Sequence, residues 1–219
     1  MAYNQFFKFI EPDIKNIVEV GTCHGMEAIE LEKHFKNATI HTFEADPKKY
    51  DNLDRVFETS DRIVLHKHGL GADPMTQTFY EHISCPGANS FYNRFKSSDM
   101  RAVGQVEVRR LDECVDGDID FLCMDCQGFE LNVLVGAGKK LNKIKNIVLE
   151  MPNGKAQHHL SVCHDVPEGN DSPYMGAPDH DDILRFMYHN GYDIKHQVRE
   201  NDIEDNVLFF KSHEGPREF

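Results

Sequence analysis

The sequence predicts an α/β protein whose sheet carries helices on both faces. Three observations predict it. Strand-like and helix-like segments alternate nearly throughout the 219 residues, the arrangement that builds a sheet through crossover helices. The run Ile17-Val18-Glu19-Val20 enters Gly21-Thr22-Cys23-His24-Gly25 and then a helix-like stretch. That is how a parallel strand delivers its backbone to a nucleotide-containing ligand. The next strand-like run, Ile40-His41-Thr42-Phe43, ends on Glu44, roughly 20 residues on, where a carboxylate can accept both ribose hydroxyl protons. The pair points to a cofactor bearing adenosine.

The elements follow in order. His24 to Phe35 is amphipathic, with Ile29 and Leu31 near the apolar stripe and Glu27, Glu30, Glu32 and Lys33 solvated. Pro47 sits just inside the next helix, where a missing N–H costs nothing, and Tyr50, Leu53 and Phe57 follow at helical spacing. Ile63 to His66 reads as a third strand ending at Gly69-Leu70-Gly71. From Pro74 to Arg110 the helix signal weakens. Thr76 to Tyr80 and Val106 to Arg109 read as strands or extended edges around a Gly87-to-Ser90 turn. Ile119 to Asp125 is a buried strand finishing on a carboxylate, Gly128 to Leu141 a helix, and Ile144 to Glu150 another strand ending in an acid. Asp181 to His189 is helical and halted by Gly191, and Tyr192 to Val198 pairs antiparallel with Asn206 to Lys211. The chain reads as one domain, 1–219. Met151 to His180, rich in proline and glycine with little periodicity, is a long loop, either a substrate-covering lid or a floppy insertion.

Composition narrows the function. A hydrophobic fraction of 40% and a charged fraction of 28% suit a soluble globular protein, and no stretch approaches the ~20 apolar residues that cross a bilayer. A formal charge of −13 repels polyanions, so nucleic acid is not expected as a partner. Met1 to Glu11 lacks the basic start, apolar core and cleavage site of a signal peptide. The six cysteines are therefore expected as reduced thiols in the cytoplasm.

Glu19-Val20-Gly21-x-x-x-Gly25, then Thr42-Phe43-Glu44-Ala45-Asp46-Pro47, then Gly69-Leu70-Gly71 resemble the FkbM-type methyltransferases. Asn89-Ser90-Phe91-Tyr92 and Val108-Arg109-Arg110-Leu111-Asp112 are similar to that family's central region. The most specific piece is Ile119 to Glu130 leading to Val133-Leu134-Val135-Gly136-Ala137, where members typically read Asp-Leu-Leu-Lys-Ile-Asp-Val-Glu-Gly-x-Glu and then Val-Leu-x-Gly-Ala. The resemblance covers about residues 17 to 211, the Met151–His180 loop excepted. It implies a Rossmann-like class I methyltransferase with a doubly wound, seven-stranded, mostly parallel sheet whose last strand is antiparallel. It also implies S-adenosyl-L-methionine bound at the carboxyl ends of the strands, and O-methylation of a hydroxyl on a sugar or polyketide. Cys123 stands for the usual Lys and Gln127 for the usual Glu, and both are expected beside the reaction centre.

On that basis each site residue takes a role. Gly21 and Gly25, around Thr22, permit close backbone approach to the cofactor. Glu19 takes the amino group of its methionine part, Glu44 with the adjoining Ala45 its ribose, and Gly69 and Leu70 its adenine. Asp73 is read as a solvated turn residue. Ser90 lines the pocket, whereas Tyr92 is read as a packed aromatic. Asp125, at a strand end where ligands collect, is the first candidate for general base, with a cation or the cofactor's amino acid part as other occupants. Glu130 is either catalytic or a first-turn support favoured by the helix dipole, and Glu150 shares that ambiguity. No metal site is assigned. Cys123 and Cys126 lack a second pair, and His158, His159, Cys163, His164 and Asp165 are read as a chance cluster. The expected acceptor is a glycan or small molecule carrying a hydroxyl. An amine acceptor on the same scaffold, a cofactor-binding module without transfer activity and an NAD-dependent oxidoreductase are the competing readings. The oligomeric state is left open.

Overall fold

A computed structural model describes residues 3–154, 166–167 and 170–212. Its main sheet runs β3-β2-β1-β7-β8-β10-β9. The strands are β1 (Asn16–Val20), β2 (Thr39–Phe43), β3 (Ile63–His66), β7 (Phe121–Met124), β8 (Asn146–Pro152), β9 (Tyr192–Arg199) and β10 (Glu204–Lys211). β3, β2, β1, β7 and β8 are mutually parallel, and β10 runs antiparallel to both β8 and β9. The last strand is thus the reversed one, as the resemblance implies. The order turns back at β1, and in such sheets ligands collect beyond the carboxyl ends at this switch point.

A second sheet of three strands, order β4-β6-β5, lies apart from the first. Gly69–Leu70, expected as the tail of β3, forms its own strand β4 and pairs parallel to β6 (Met100–Arg109), which pairs antiparallel to β5 (Met75–His82). Phe79, Phe91, Val106, Val108 and Phe129 form a separate apolar cluster beneath it. That burial explains why the stretch from Pro74 to Arg110 carries strand rather than helix periodicity.

The main sheet buries both faces. Val18, Leu122, Leu149 and Val207 join the core under α3 (Leu111–Cys114), α4 (Glu130–Gly136) and α5 (His180–His189). Ile17, Phe121, Val148 and Leu208 face the other side, covered by α1 (Met26–His34), α2 (Tyr50–Phe57) and a 3-10 helix at Tyr3–Phe9. Local chemistry sets the boundaries. The Asp46 side chain accepts from the Lys48 N–H at 3.0 Å ahead of Pro47, starting the turn that leads into α2. Asp179 and Asp182 form a reciprocal cap at the start of α5. The helix expected over 128–141 divides into α4 and a 3-10 segment at Gly138–Lys143.

Candidate active site

The carboxyl ends of β1, β2 and β7 meet backbone to backbone. The N–H groups of Gly21 and Thr22 donate to the Phe43 carbonyl at 3.0 and 3.2 Å, and the Asp125 N–H donates to Val20 at 3.0 Å. Gly21 has φ +88°, and a Cβ there would stand 2.0 Å from the Asp125 carbonyl oxygen. Gly25, at φ +82°, would drive a Cβ to 2.7 Å from the Phe57 ring. Both glycines are therefore required by contacts within the protein. Gly21 marks a close approach between two loops, and Gly25 seats α1 on α2.

Between these strand ends lies an open cavity. Gly21, Glu44, Ala45, Gly69, Leu70 and Asp125 line it, so six of the residues expected at the cofactor meet at one place. Glu44 Oε2 accepts the Cys23 N–H at 2.8 Å and Oε1 accepts the Asp46 N–H at 2.8 Å. Lys49 Nζ lies 3.9 Å from the same carboxylate. Burial raises the Glu44 pKa, while Lys49 and the two amides oppose the rise. Burial works against the Lys49 charge as well, but Glu44 and Cys23 outweigh it and raise its pKa. Phe43, Leu70 and Phe91 supply apolar wall, and Asn89 a polar rim.

Besides Gly25, four expected residues lie outside the cavity lining. Glu19 is 1% exposed on the sheet face opposite the cavity and accepts a hydrogen bond from the Thr42 hydroxyl. Burial lifts its pKa to about 8, against the pull of the Thr42 and Thr22 hydroxyls. Thr22 is fully buried and outside the cavity lining. Ser90 is buried behind the wall, donating to the Gln127 carbonyl at 2.7 Å and accepting from the Tyr92 N–H. Glu130 lines a second, smaller cavity together with Glu150, Tyr174 and Glu204. Its Oε1 accepts the Cys126 N–H at 2.7 Å, and burial lifts its pKa to about 8. Glu150 is raised well above the usual carboxylate range by burial and by Asp125.

The two departures from the family pattern separate. Cys123 points into the core away from the cavity, its thiol on the Val18 carbonyl at 3.5 Å, and burial pushes its pKa well up. Strand alternation removes it from the reaction centre, because Met124 takes the opposite face. Gln127 does line the cavity, at φ +53°. Its Nε2 donates to Asp125 at 2.6 Å and to Glu150 at 2.8 Å, and its Oε1 accepts from the Tyr174 hydroxyl at 2.6 Å. Tyr92 packs against Phe129, its hydroxyl accepting from Asn132, and Asp73 is exposed, both as read from the sequence.

Sequence reasoning missed Lys49, Phe43, Asn89 and Tyr174. Lys49 carries a readable signal, standing one helical turn beyond the acidic strand end. Tyr174 carries none, because it comes from the aperiodic stretch between β8 and α5. The described part of that stretch docks on 93–95, with Phe95 N–H on the Pro173 carbonyl at 3.1 Å and Met175 N–H on Asn93 at 2.8 Å. The cluster His158, His159, Cys163, His164 and Asp165 lies outside the described residues. Among the described residues, no helix is long and apolar enough to cross a membrane.

A family model described as the methyltransferase FkbM domain matches residues 19–194. Methyltransferase 1 of Beauveria bassiana (strain ARSEF 2860) is 26% identical over 170 residues, 66% of this chain and 67% of that protein. Among solved structures, a methyltransferase FkbM from Methylobacillus flagellatus KT superposes with a TM-score of 0.55 at 18% identity. The match covers 91% of this chain and 44% of that one, so the present chain spans less than half its length. TrmK of M. capricolum, solved with S-adenosylhomocysteine, superposes with a TM-score of 0.51 at 13% identity, covering 99% of this chain and 70% of that one.

Proposed function

The chain belongs to the FkbM methyltransferase family, and we propose that it moves the methyl group of S-adenosylmethionine to a hydroxyl oxygen of a carbohydrate or glycosylated small molecule. One observation supports this reading above others. The acidic end of β2 and the glycine turn after β1 are hydrogen-bonded to each other through Glu44 and Cys23 at 2.8 Å, at the wall of an open cavity that ends at Asp125.

The cavity suits the cofactor residue by residue. Glu44 keeps lone pairs for two ribose hydroxyls after accepting its two amides. Leu70 and Phe91 offer an apolar slot for adenine, and Asp125 and Gln127 stand at the end left for the methionine part. When bound, S-adenosylmethionine supplies a methyl group already activated on a sulfonium. The protein's work is then to align an acceptor oxygen in line and remove its proton. Asp125 takes that proton as the new C–O bond forms and the C–S bond breaks, because a free alcohol is too weak an acid to ionise beforehand. Glu130 supports this loop from beneath through the Cys126 amide, a positional role rather than contact with the acceptor.

An amine acceptor on the same scaffold is the competing reading. The net charge of −13 argues against a polyanionic acceptor. Free thiols at Cys23, Cys85, Cys114, Cys123 and Cys126 suit the reducing cytoplasm.

Calorimetry with S-adenosylhomocysteine, followed by label transfer from methyl-labelled S-adenosylmethionine to a panel of glycosides, polyols and amines, tests both parts. Binding with label on a hydroxyl compound is the expected result. Label on amines alone replaces the acceptor assignment, and absence of binding overturns the cofactor assignment.

A further inference from the structure

Gln127 is where this chain leaves its family's pattern inside the site, and its surroundings give that departure a use. The residue belongs to the loop between β7 and α4, with its backbone left-handed at φ +53°. Its side-chain amide has two N–H donors and one strong acceptor, and all three are engaged. The donors reach Asp125, which lines the cofactor cavity, and Glu150, which lines the second cavity. The acceptor takes the Tyr174 hydroxyl at 2.6 Å. The reverse orientation of the amide would set its oxygen against two carboxyl groups and its N–H groups against a phenol, so the pattern fixes which end is which. A glutamate at this position could not donate to both acids, having at most one O–H when protonated and none when ionised. The uncharged amide is what lets one side chain bridge both.

Tyr174 brings a distant segment into this arrangement. It is 3% exposed and absent from the wall of the cofactor cavity. Its segment is held by backbone hydrogen bonds to Asn93 and Phe95, and the Arg94 guanidinium lies 5.1 Å from its ring centroid. The residues 172–177 therefore form a strap across the 125–129 loop. The Tyr174 hydroxyl and the Gln127 amide connect that strap to Asp125 by side-chain hydrogen bonds.

We propose that Gln127 is a positioning residue: its amide holds the Asp125 carboxylate toward the cofactor cavity, and the Tyr174 bond makes that hold depend on the docked strap. This rests on the cofactor assignment above and adds a coupling between the strap and the cofactor end of the site.

The test uses the full chain, labelled with ¹⁵N, and the side-chain amide signal that Gln127→Glu removes. In the wild type this amide should exchange with solvent about tenfold or more slowly than exposed glutamine and asparagine amides, and it should shift on addition of S-adenosylhomocysteine. Tyr174→Phe, which leaves both carboxyl groups and the amide in place, should move the same signal and weaken S-adenosylhomocysteine binding about fivefold. A structural role alone would lower the melting temperature and leave that affinity unchanged. Fast amide exchange, or an affinity for S-adenosylhomocysteine unaltered in Tyr174→Phe, overturns the proposal. Absence of cofactor binding by the wild type would overturn the cofactor assignment instead, while the exchange rate and the Tyr174→Phe shift still decide whether the bridge exists.

Discussion

Replacing Glu44 by glutamine separates the two jobs the structure gives this residue. Its carboxylate accepts the Cys23 and Asp46 amides at 2.8 Å each, and it faces the cavity where a ribose would lie. Glu44→Gln keeps the shape but turns one end into a donor facing a backbone donor. Leaving a buried N–H unmatched costs about 1–3 kcal/mol, and ~2 kcal/mol corresponds to a fall of about 4–8 °C in Tm for a chain of this size. Binding loses more. Hydrogen bonds to a charged acceptor exceed neutral ones by about 1 kcal/mol. Two ribose hydroxyls thus lose about 2 kcal/mol, or about 30-fold in affinity. Calorimetry with S-adenosylhomocysteine, with thermal unfolding alongside, reads both effects. A lowered Tm with affinity within about twofold of wild type would refute the ribose assignment and leave Glu44 as a bracket between loops. Glu44→Ala is the poorer probe, since it also strands Lys49 beside an empty position.

Three further outcomes are expected. Gly21→Ala should destabilise by ~3 kcal/mol or more, because its Cβ meets backbone that cannot yield, whereas Gly25→Ala meets the end of a phenyl ring and should cost less; urea unfolding of both variants ranks them. Stability should fall as pH rises from about 4.5 to about 8, because native Glu19 and Glu130, each raised to about 8, hold protons that the unfolded chain has released. Above that range these two groups add no further slope, and Glu19→Gln should reduce the slope within it in unfolding curves taken across pH. Cys123→Ser should lower stability by about 1–3 kcal/mol through burial of a hydroxyl in an apolar core while preserving S-adenosylhomocysteine affinity, since its side chain faces away from the cavity.

The main sheet was legible because its evidence is local. Three of its parallel strands are short runs closed by glycine or an acid, with Gly21 after β1, Glu44 after β2 and Asp125 after β7. Glu19 was misplaced for a reason equally local. It is two residues before Gly21, but alternation along β1 sends its side chain to the opposite face, and burial there was invisible without the neighbours of β1. The second sheet was half legible, as strands without a partner, because pairing of Gly69–Leu70 with β6 spans about forty residues of sequence. Tyr174 and the bridge it completes belong to contacts between distant segments, which no spacing rule encodes. The role of Gly21 shows the same limit: its need for a missing side chain was readable, but not which atom requires the space.

The contact between Gly21 and the Asp125 carbonyl has a practical corollary for anyone exchanging parts among relatives. These loops are 104 positions apart in the chain yet share one gap with no room for a methyl group, so they behave as a matched set. A hybrid that inherits residues 16–25 from one parent and 121–130 from another must reproduce that fit by accident. Crossover points that keep both segments from the same parent avoid the mismatch, and recombination libraries built on this scaffold should be enriched for them among their folded members.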